Sequence, residues 1–242
     1  MKIHFLGTGD AFGSGGRFQT CFHVRASQST FLVDCGATSM VALRKFEVDP
    51  NEIDTIYVSH LHGDHSGGLP YFILDAHLVS RREEPLTVVG PPGLSHWLHT
   101  ARELAFADSS SNRLRYELEL VEVEPGDTYK ARGLELETFL VKHKCSGPPL
   151  ALRFTDQGKV LSYTGDTEWV ESLRNLAYQA DLLICESYFY EKAIPFHLNY
   201  KTAIEKRGEL QAKRILLTHA SLDMLQRELD FELAHDGLFV EV

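Results

Sequence analysis

The sequence predicts an α/β fold on two observations. Short β-type runs alternate with amphipathic stretches along the chain, and five of those runs are followed closely by residues able to bind a metal or move a proton. In α/β architectures functional side chains gather beyond the carboxyl ends of strands, so such residues are expected to meet on one edge. At 242 residues the chain is long enough to bury roughly three quarters of its unfolded surface in one large domain or two tightly fused halves, and no separate module is required.

Taken in order, Ile3–Leu6 reads as the first strand. The glycine-rich segment Gly7 to Gly16 follows it. Its spacing matches neither a dinucleotide fingerprint nor a P-loop, which leaves a flexible active-site loop as the reading. Phe31–Asp34 is the next strand, with Asp34 before Gly36 placed to orient metal ligands from behind. Ile53–Val58 is another. Helical apolar spacing runs from Leu69 to Arg82, and Thr87–Gly93 is a strand stopped by glycine and proline. A helix from about Leu94 to Phe106 follows, then a loop at Asp108–Asn112.

The strongest signal sits directly after Ile53–Val58. Residues 60 to 65 read His60-Leu61-His62-Gly63-Asp64-His65, three imidazoles and a carboxylate in six positions. Imidazole nitrogen and carboxylate oxygen suit zinc, with iron and manganese as other occupants, and a loop can aim several inward at once. The second signal is repetition of one format. Phe139–Val141 precedes His143, Val160–Tyr163 leads to Asp166, Leu182–Cys185 to Glu186, and Ile215–Thr218 to His219.

Composition narrows the function. A net charge of −10 argues against a general nucleic-acid binder, which carries a basic stripe for phosphates. It does not exclude a phosphate substrate, because two divalent cations in a cleft outweigh distant surface charge. No apolar run approaches the roughly 18 residues of a membrane span, and the opening residues lack a signal-peptide pattern. The expectation is a soluble, cytoplasmic protein with no membrane partner. Cys21, Cys35, Cys145 and Cys185 are widely separated and read as buried small hydrophobes. His4, His23, His77, His96, His99 and His235 have no partners at metal spacing and read as structural.

The His-x-His-x-Asp-His motif with His143, Asp166 and His219 resembles the metallo-β-lactamase superfamily over nearly the whole chain. Within it the chain is similar to the ribonuclease Z-like, phosphodiesterase branch. That likeness rests on Phe5-Leu6-Gly7-Thr8-Gly9, Val33-Asp34-Cys35-Gly36, Gly90-Pro91-Pro92-Gly93-Leu94 and Leu217-Thr218-His219-Ala220-Ser221. The resemblance implies an αββα four-layer sandwich, two mixed β-sheets back to back with helices outside, as one hydrolase domain over 1–242. It also implies two divalent metal ions, zinc first, with manganese or iron as alternatives. By position, His60, His62 and His143 hold one ion, Asp64, His65 and His219 the other, and Asp166 bridges them. A hydroxide between ions about 3.5–4 Å apart is then the nucleophile. Glu186 and His197 occupy the places of a proton-transfer pair, with His197 as general acid and Glu186 orienting it. Asn199 stands where that branch usually has a hydroxyl residue, and it can still cap the following helix.

The function these residues imply is a metal-dependent phosphodiesterase acting on a small or nucleotide-like substrate. The nearest alternative is a tRNA 3′-end endonuclease. The basic arm that clamps tRNA in that branch has no counterpart here, which makes tRNA a doubtful partner. More distant alternatives are hydrolysis of a lactone, thioester or β-lactam, and a binding protein without catalysis. The arginine and tyrosine common after Ser221 are replaced by Leu222-Asp223-Met224, leaving Arg17, Lys142 and Lys144 as substitute phosphate contacts. Dimers are common in that branch, so a homodimer is the assembly the resemblance allows.

Overall fold

Strand residues alternate between two faces, and here both faces of two sheets are apolar, so each sheet is covered twice. The computed structural model describes residues 1–242 and forms two seven-stranded sheets. The first contains β1 (Lys2–Gly7), β2 (Cys21–Arg25), β3 (Thr30–Val33), β4 (Thr55–Tyr57), β5 (Leu86–Gly90) and β6 (Leu118–Glu122). The second contains β7 (Thr128–Ala131), β8 (Leu134–Leu140), β9 (Leu150–Asp156), β10 (Lys159–Tyr163), β11 (Leu182–Glu186), β12 (Ile215–Thr218) and β13 (Glu232–Leu233). The chain then returns as β14 (Phe239–Glu241) to pair antiparallel with β1 on the edge of the first sheet. The helices are α1 (Ser39–Lys45), α2 (Gly63–Ser66), α3 (Leu69–Leu78), α4 (Leu94–Ala105), α5 (Ser172–Ala177), α6 (Tyr200–Glu205), α7 (Arg207–Leu210) and α8 (Leu222–Leu225).

Both sheets are mixed in the same way. From β3 to β6 and from β10 to β13 neighbours are parallel, whereas β14 to β3 and β7 to β10 are antiparallel. The inner faces meet in a core containing Phe22, Phe31, Tyr57, Phe154, Tyr163 and Ile184. Phe154 lies 5.1 Å from Phe31 and 5.0 Å from Tyr57 between ring centroids, inside the range favoured by aromatic pairs. The outer face of the first sheet packs on α1, α3 and α4 through residues such as Leu43, Phe72 and Leu98. That of the second packs on α5, α6 and α7 through Leu176, Ala203 and Leu210. The result is the αββα sandwich expected from the resemblance. No helix is long and apolar enough to cross a membrane.

Two local readings change. The helix beginning at Leu69 stops at Leu78 rather than running to Arg82. Arg81 adopts a left-handed φ of 50°, and Arg82 turns inward so that its guanidinium donates to the carbonyls of Pro50, Ile53, Glu84 and Pro85. Those carbonyl contacts are unavailable to a residue on a continuing helix face, which explains why apolar spacing alone overran the end. The segment at Asp108–Asn112 forms a single 3₁₀ turn at Ser109–Ser111, tied to Arg102 and Glu103 of α4.

Arg82 is almost fully buried, so removing its side chain strands several carbonyls without donors. Arg82→Ala is expected to lower unfolding free energy by about 3 kcal/mol, read as a reduced urea midpoint with an unchanged m-value.

Candidate metal centre

The carboxyl ends of the parallel strands open onto one edge of the sandwich. Loops after β3, β4, β8, β10 and β12 deliver Asp34, the 60–65 segment, His143, Asp166 and His219 there. Glu186 is the last residue of β11, and His197 comes from the loop before α6. All of the sequence-derived site residues therefore meet.

Their atoms fall into two sets joined by one carboxylate. The ligating atoms of His60, His62 and His143 lie within 4.8 Å of one another, as do those of Asp64, His65, Asp166 and His219. Asp166 Oδ2 is 3.9 Å from His60 Nε2, 4.0 Å from His143 Nε2 and 3.4 Å from His219 Nε2, while its Oδ1 is 3.4 Å from His65 Nε2. It thus reaches both sets.

Three of the imidazoles have their outward-facing nitrogen fixed by a neighbour. His65 Nδ1 is 2.7 Å from Asp34 Oδ2, His60 Nδ1 is 3.1 Å from Ser59 Oγ, and His143 Nδ1 is 2.9 Å from the Phe196 carbonyl. Such contacts set ring orientation and tautomer and turn Nε2 of each ring toward the centre, where His143 Nε2 lies 3.0 Å from His62 Nδ1. His60 Nε2, His65 Nε2 and Asp166 Oδ1 are buried without any hydrogen-bond partner. Each unpaired buried polar atom costs about 1–3 kcal/mol, so the centre lacks a partner that the protein itself does not supply. Nitrogen and carboxylate donors converging in this way fit divalent metal.

The backbone behind the centre is held tightly. Asp34, at φ 59°, accepts from Ser59 N at 2.7 Å and Ser59 Oγ at 2.9 Å as well as meeting His65. A Cβ on Gly36 would stand 2.3 Å from the Asp64 carbonyl, so only glycine lets the β3 turn press against the histidine loop. His219 is also left-handed, at φ 59°, with its N–H donating to the Thr8 carbonyl.

Charge follows from burial and proximity. Burial works to raise the Asp166 carboxyl, but the imidazoles of His219 and His65 outweigh it and hold the group well below the usual carboxylate range. Burial pushes His60 down, reinforced by His65. For His65, burial is overcome by the carboxylates of Asp166, Asp64 and Asp34, which raise it.

Beside the centre, His197 Nδ1 lies 3.2 Å from Glu186 Oε2 and 3.9 Å from Asp166 Oδ2. Burial lowers His197, but the hydrogen bond and charge of Glu186 prevail and bring it up to about 9. Glu186 is fully buried, which raises it to about 7 against the pull of His197. Upward for His197 is the direction the geometry supports, since carboxylates surround it. Asn199 caps α6, its Oδ1 accepting from Thr202 N at 2.8 Å.

Sequence reading missed Glu168. Glu168 Oε1 accepts from Phe196 N at 2.9 Å, and the Phe196 carbonyl in turn meets His143, so one carboxylate clamps the strained peptide (φ 74°) between His143 and His197. Only its nearness to Asp166 in sequence pointed to it. The substitute phosphate contacts are engaged elsewhere: Arg17 donates to the Ala234 carbonyl at 2.6 Å, and Lys142 pairs with Glu168 at 3.1 Å. Lys144 is exposed. His96 and His99 face solvent, and Cys145 alone among the cysteines is not fully buried.

A two-sheet αββα sandwich with this His/Asp cluster at the strand ends defines a metal-binding hydrolase of the metallo-β-lactamase superfamily. The profile of the family described as Anti-Pycsar protein Apyc1 matches residues 1–236, and the chain belongs to that family. It is 28% identical to ribonuclease Z of Bacillus thuringiensis (strain Al Hakam), covering 91% of this chain and 89% of that protein. The short form of human tRNase Z superposes with a TM-score of 0.82 at 25% identity, covering 100% of this chain and 99% of that one. Zinc-bound PqqB from Methylobacterium extorquens shares the fold, with a TM-score of 0.78 at 15% identity and full coverage of both chains.

Removing the support behind His65 is expected to loosen metal without unfolding the sandwich. Asp34→Asn should weaken metal affinity by about 10–100-fold, measured by competition with a chromogenic chelator.

Proposed function

We propose that residues 1–242 act as one metal-dependent phosphodiesterase domain on a small, nucleotide-like phosphodiester. In this reading His60, His62 and His143 hold one ion, Asp64, His65 and His219 a second, and Asp166 contacts both. Divalent ions bound there would polarise the phosphoryl group and make water acidic enough to serve as nucleophile near neutral pH. The ligand set accepts zinc first, and manganese or iron also.

The observation that carries the reading is the His197–Glu186 pair beside Asp166. An alkoxide leaving a phosphodiester needs a proton, and a histidine raised to about 9 is charged at neutral pH and able to give one from Nε2. Glu186 keeps the ring turned by holding Nδ1, and Glu168 and Asn199 hold the loop on either side. Ester or lactam hydrolysis has less use for such a donor. The cavity at the centre measures about 270 Å³, below the usual range of roughly 300–1,000 Å³ for small-molecule sites, which favours a small substrate.

A tRNA 3′-end endonuclease is the second reading, favoured by the identity to ribonuclease Z along most of the chain. That alignment spans 278 positions against 242 residues here, so the relative carries segments without a counterpart in this chain. Precursor-tRNA cleavage matching or exceeding turnover of small diesters would decide for it.

Purified protein reloaded with zinc or manganese is expected to hold about two ions per chain and to hydrolyse a chromogenic phosphodiester in preference to a lactone or β-lactam. Chelator treatment should abolish turnover. Asp64→Ala should retain the circular dichroism spectrum and lose activity, and undiminished turnover would remove the metal mechanism.

The proton donor gives a signed pH dependence. The acid form is required, so wild-type kcat should fall as pH rises through the His197 pKa, about 9 before a bound cation lowers it. His197→Ala should cut kcat by about 10²–10⁴-fold and abolish that alkaline limb. Glu186→Gln should move the limb to lower pH, because the charge that raises His197 is gone.

A further inference from the structure

The glycine-rich segment after β1 contributes a side chain that the chemistry above does not use. Phe12 is 84% exposed, yet it lines the same cavity as His62, Asp64, His197 and His219, with Tyr188 and Ile194. A phenylalanine left in water forgoes about 1.5–3 kcal/mol of burial, so a loose loop would fold the ring inward. The loop is not loose. Buried Asp10 accepts from Phe12 N at 3.1 Å and from Ser14 N at 2.9 Å through Oδ1, and from Ser14 Oγ at 2.7 Å through Oδ2. On the preceding residue, the Ala11 carbonyl accepts from Gln19 Nε2 at 3.0 Å. The ring is held over the cleft by hydrogen bonds to its own peptide and to its neighbours.

Two further facts indicate what it meets. No lysine or arginine lines the cavity, so a substrate group lying away from the His/Asp cluster finds aromatic and aliphatic surface rather than charge. Phe12 is also mostly exposed while lining this cavity, so a substrate group projecting outward from the His/Asp cluster passes its ring.

We propose that Phe12 is the stacking platform for the nucleobase of a nucleotide-like substrate at this cleft. This rests on the phosphodiesterase reading and deepens it. Stacking on an aromatic ring is worth about 1–3 kcal/mol per base and tolerates any base, because each has a flat π-face.

The test measures binding separately from turnover. Adenosine 5′-monophosphate and ribose 5-phosphate, which share a sugar phosphate and differ in the base, are titrated calorimetrically into metal-loaded wild type, Phe12→Ala and Phe12→Trp. The alanine variant is expected to lose about 5–150-fold in affinity for the nucleotide and none for ribose phosphate, with tryptophan restoring wild-type affinity. Unchanged ribose phosphate binding also shows that the variant is folded. In parallel, Phe12→Ala should raise KM for thymidine 5′-p-nitrophenyl phosphate with little change in kcat, and leave methyl p-nitrophenyl phosphate unaffected. Equal affinity of the wild type for both phosphates, equal loss of both in Phe12→Ala, or no nucleotide binding at all would overturn the platform. Phe12-dependent nucleotide binding without hydrolysis of any diester would instead strike the reaction and leave the platform standing.

Discussion

The carboxylate of Asp166 is the charge around which the two halves of the molecule are arranged. It leaves the end of β10 in the second sheet and reaches imidazoles supplied by the first sheet at His60 and His65 and by the second at His143 and His219. That reach requires the sheets to keep a fixed separation. Tyr57 and Tyr163, each a few residues before the histidine loop and Asp166 respectively, are packed in the aromatic layer between the sheets. A packed interior resists small changes in volume, so this layer fixes the spacing of the candidate ligands above it.

Burial gives the site its character. Three donor atoms with no protein partner, imidazoles that burial holds toward the neutral form and a pair of carboxylates form an arrangement that is costly in the protein alone and favourable around cations. The strain in the surrounding backbone belongs to the same arrangement. Asp34, Phe196 and His219 all hold left-handed conformations next to the centre, and each is restrained by hydrogen bonds from a different element. The sandwich therefore acts as a rigid holder, and the loops at the strand ends carry the chemistry.

The match to the Anti-Pycsar protein Apyc1 family runs over residues 1–236 and the likeness to ribonuclease Z over 91% of the chain, so both extend through the whole sandwich rather than one motif. The rim of the cleft is assembled from distant parts of the chain. Its residues come from the segment after β1 and the loops after β11 and before α6, far apart in sequence.

The ligand types and their spacing were legible in the sequence because coordination chemistry dictates residue identity, and because strands ending in a loop leave a repeated local pattern. His60, His62, His65 and the residues following β8, β10 and β12 could be read in that way, as could the Asn199 cap, whose hydrogen bond is local. The early end of α3 was not legible, because it depends on carbonyls that Arg82 meets across the fold. Nor was the role of Glu168, or the difference between a free Lys142 and one paired to it. The exposure of Phe12 likewise depends on Asp10 and Gln19 and has no signature in the chain. Sequence alone determined which atoms can bind a metal, since that is a property of side-chain chemistry. Tertiary structure decided which of them share a centre, which cations are already satisfied and which aromatic ring faces the cleft, since those depend on distances between segments that only packing sets.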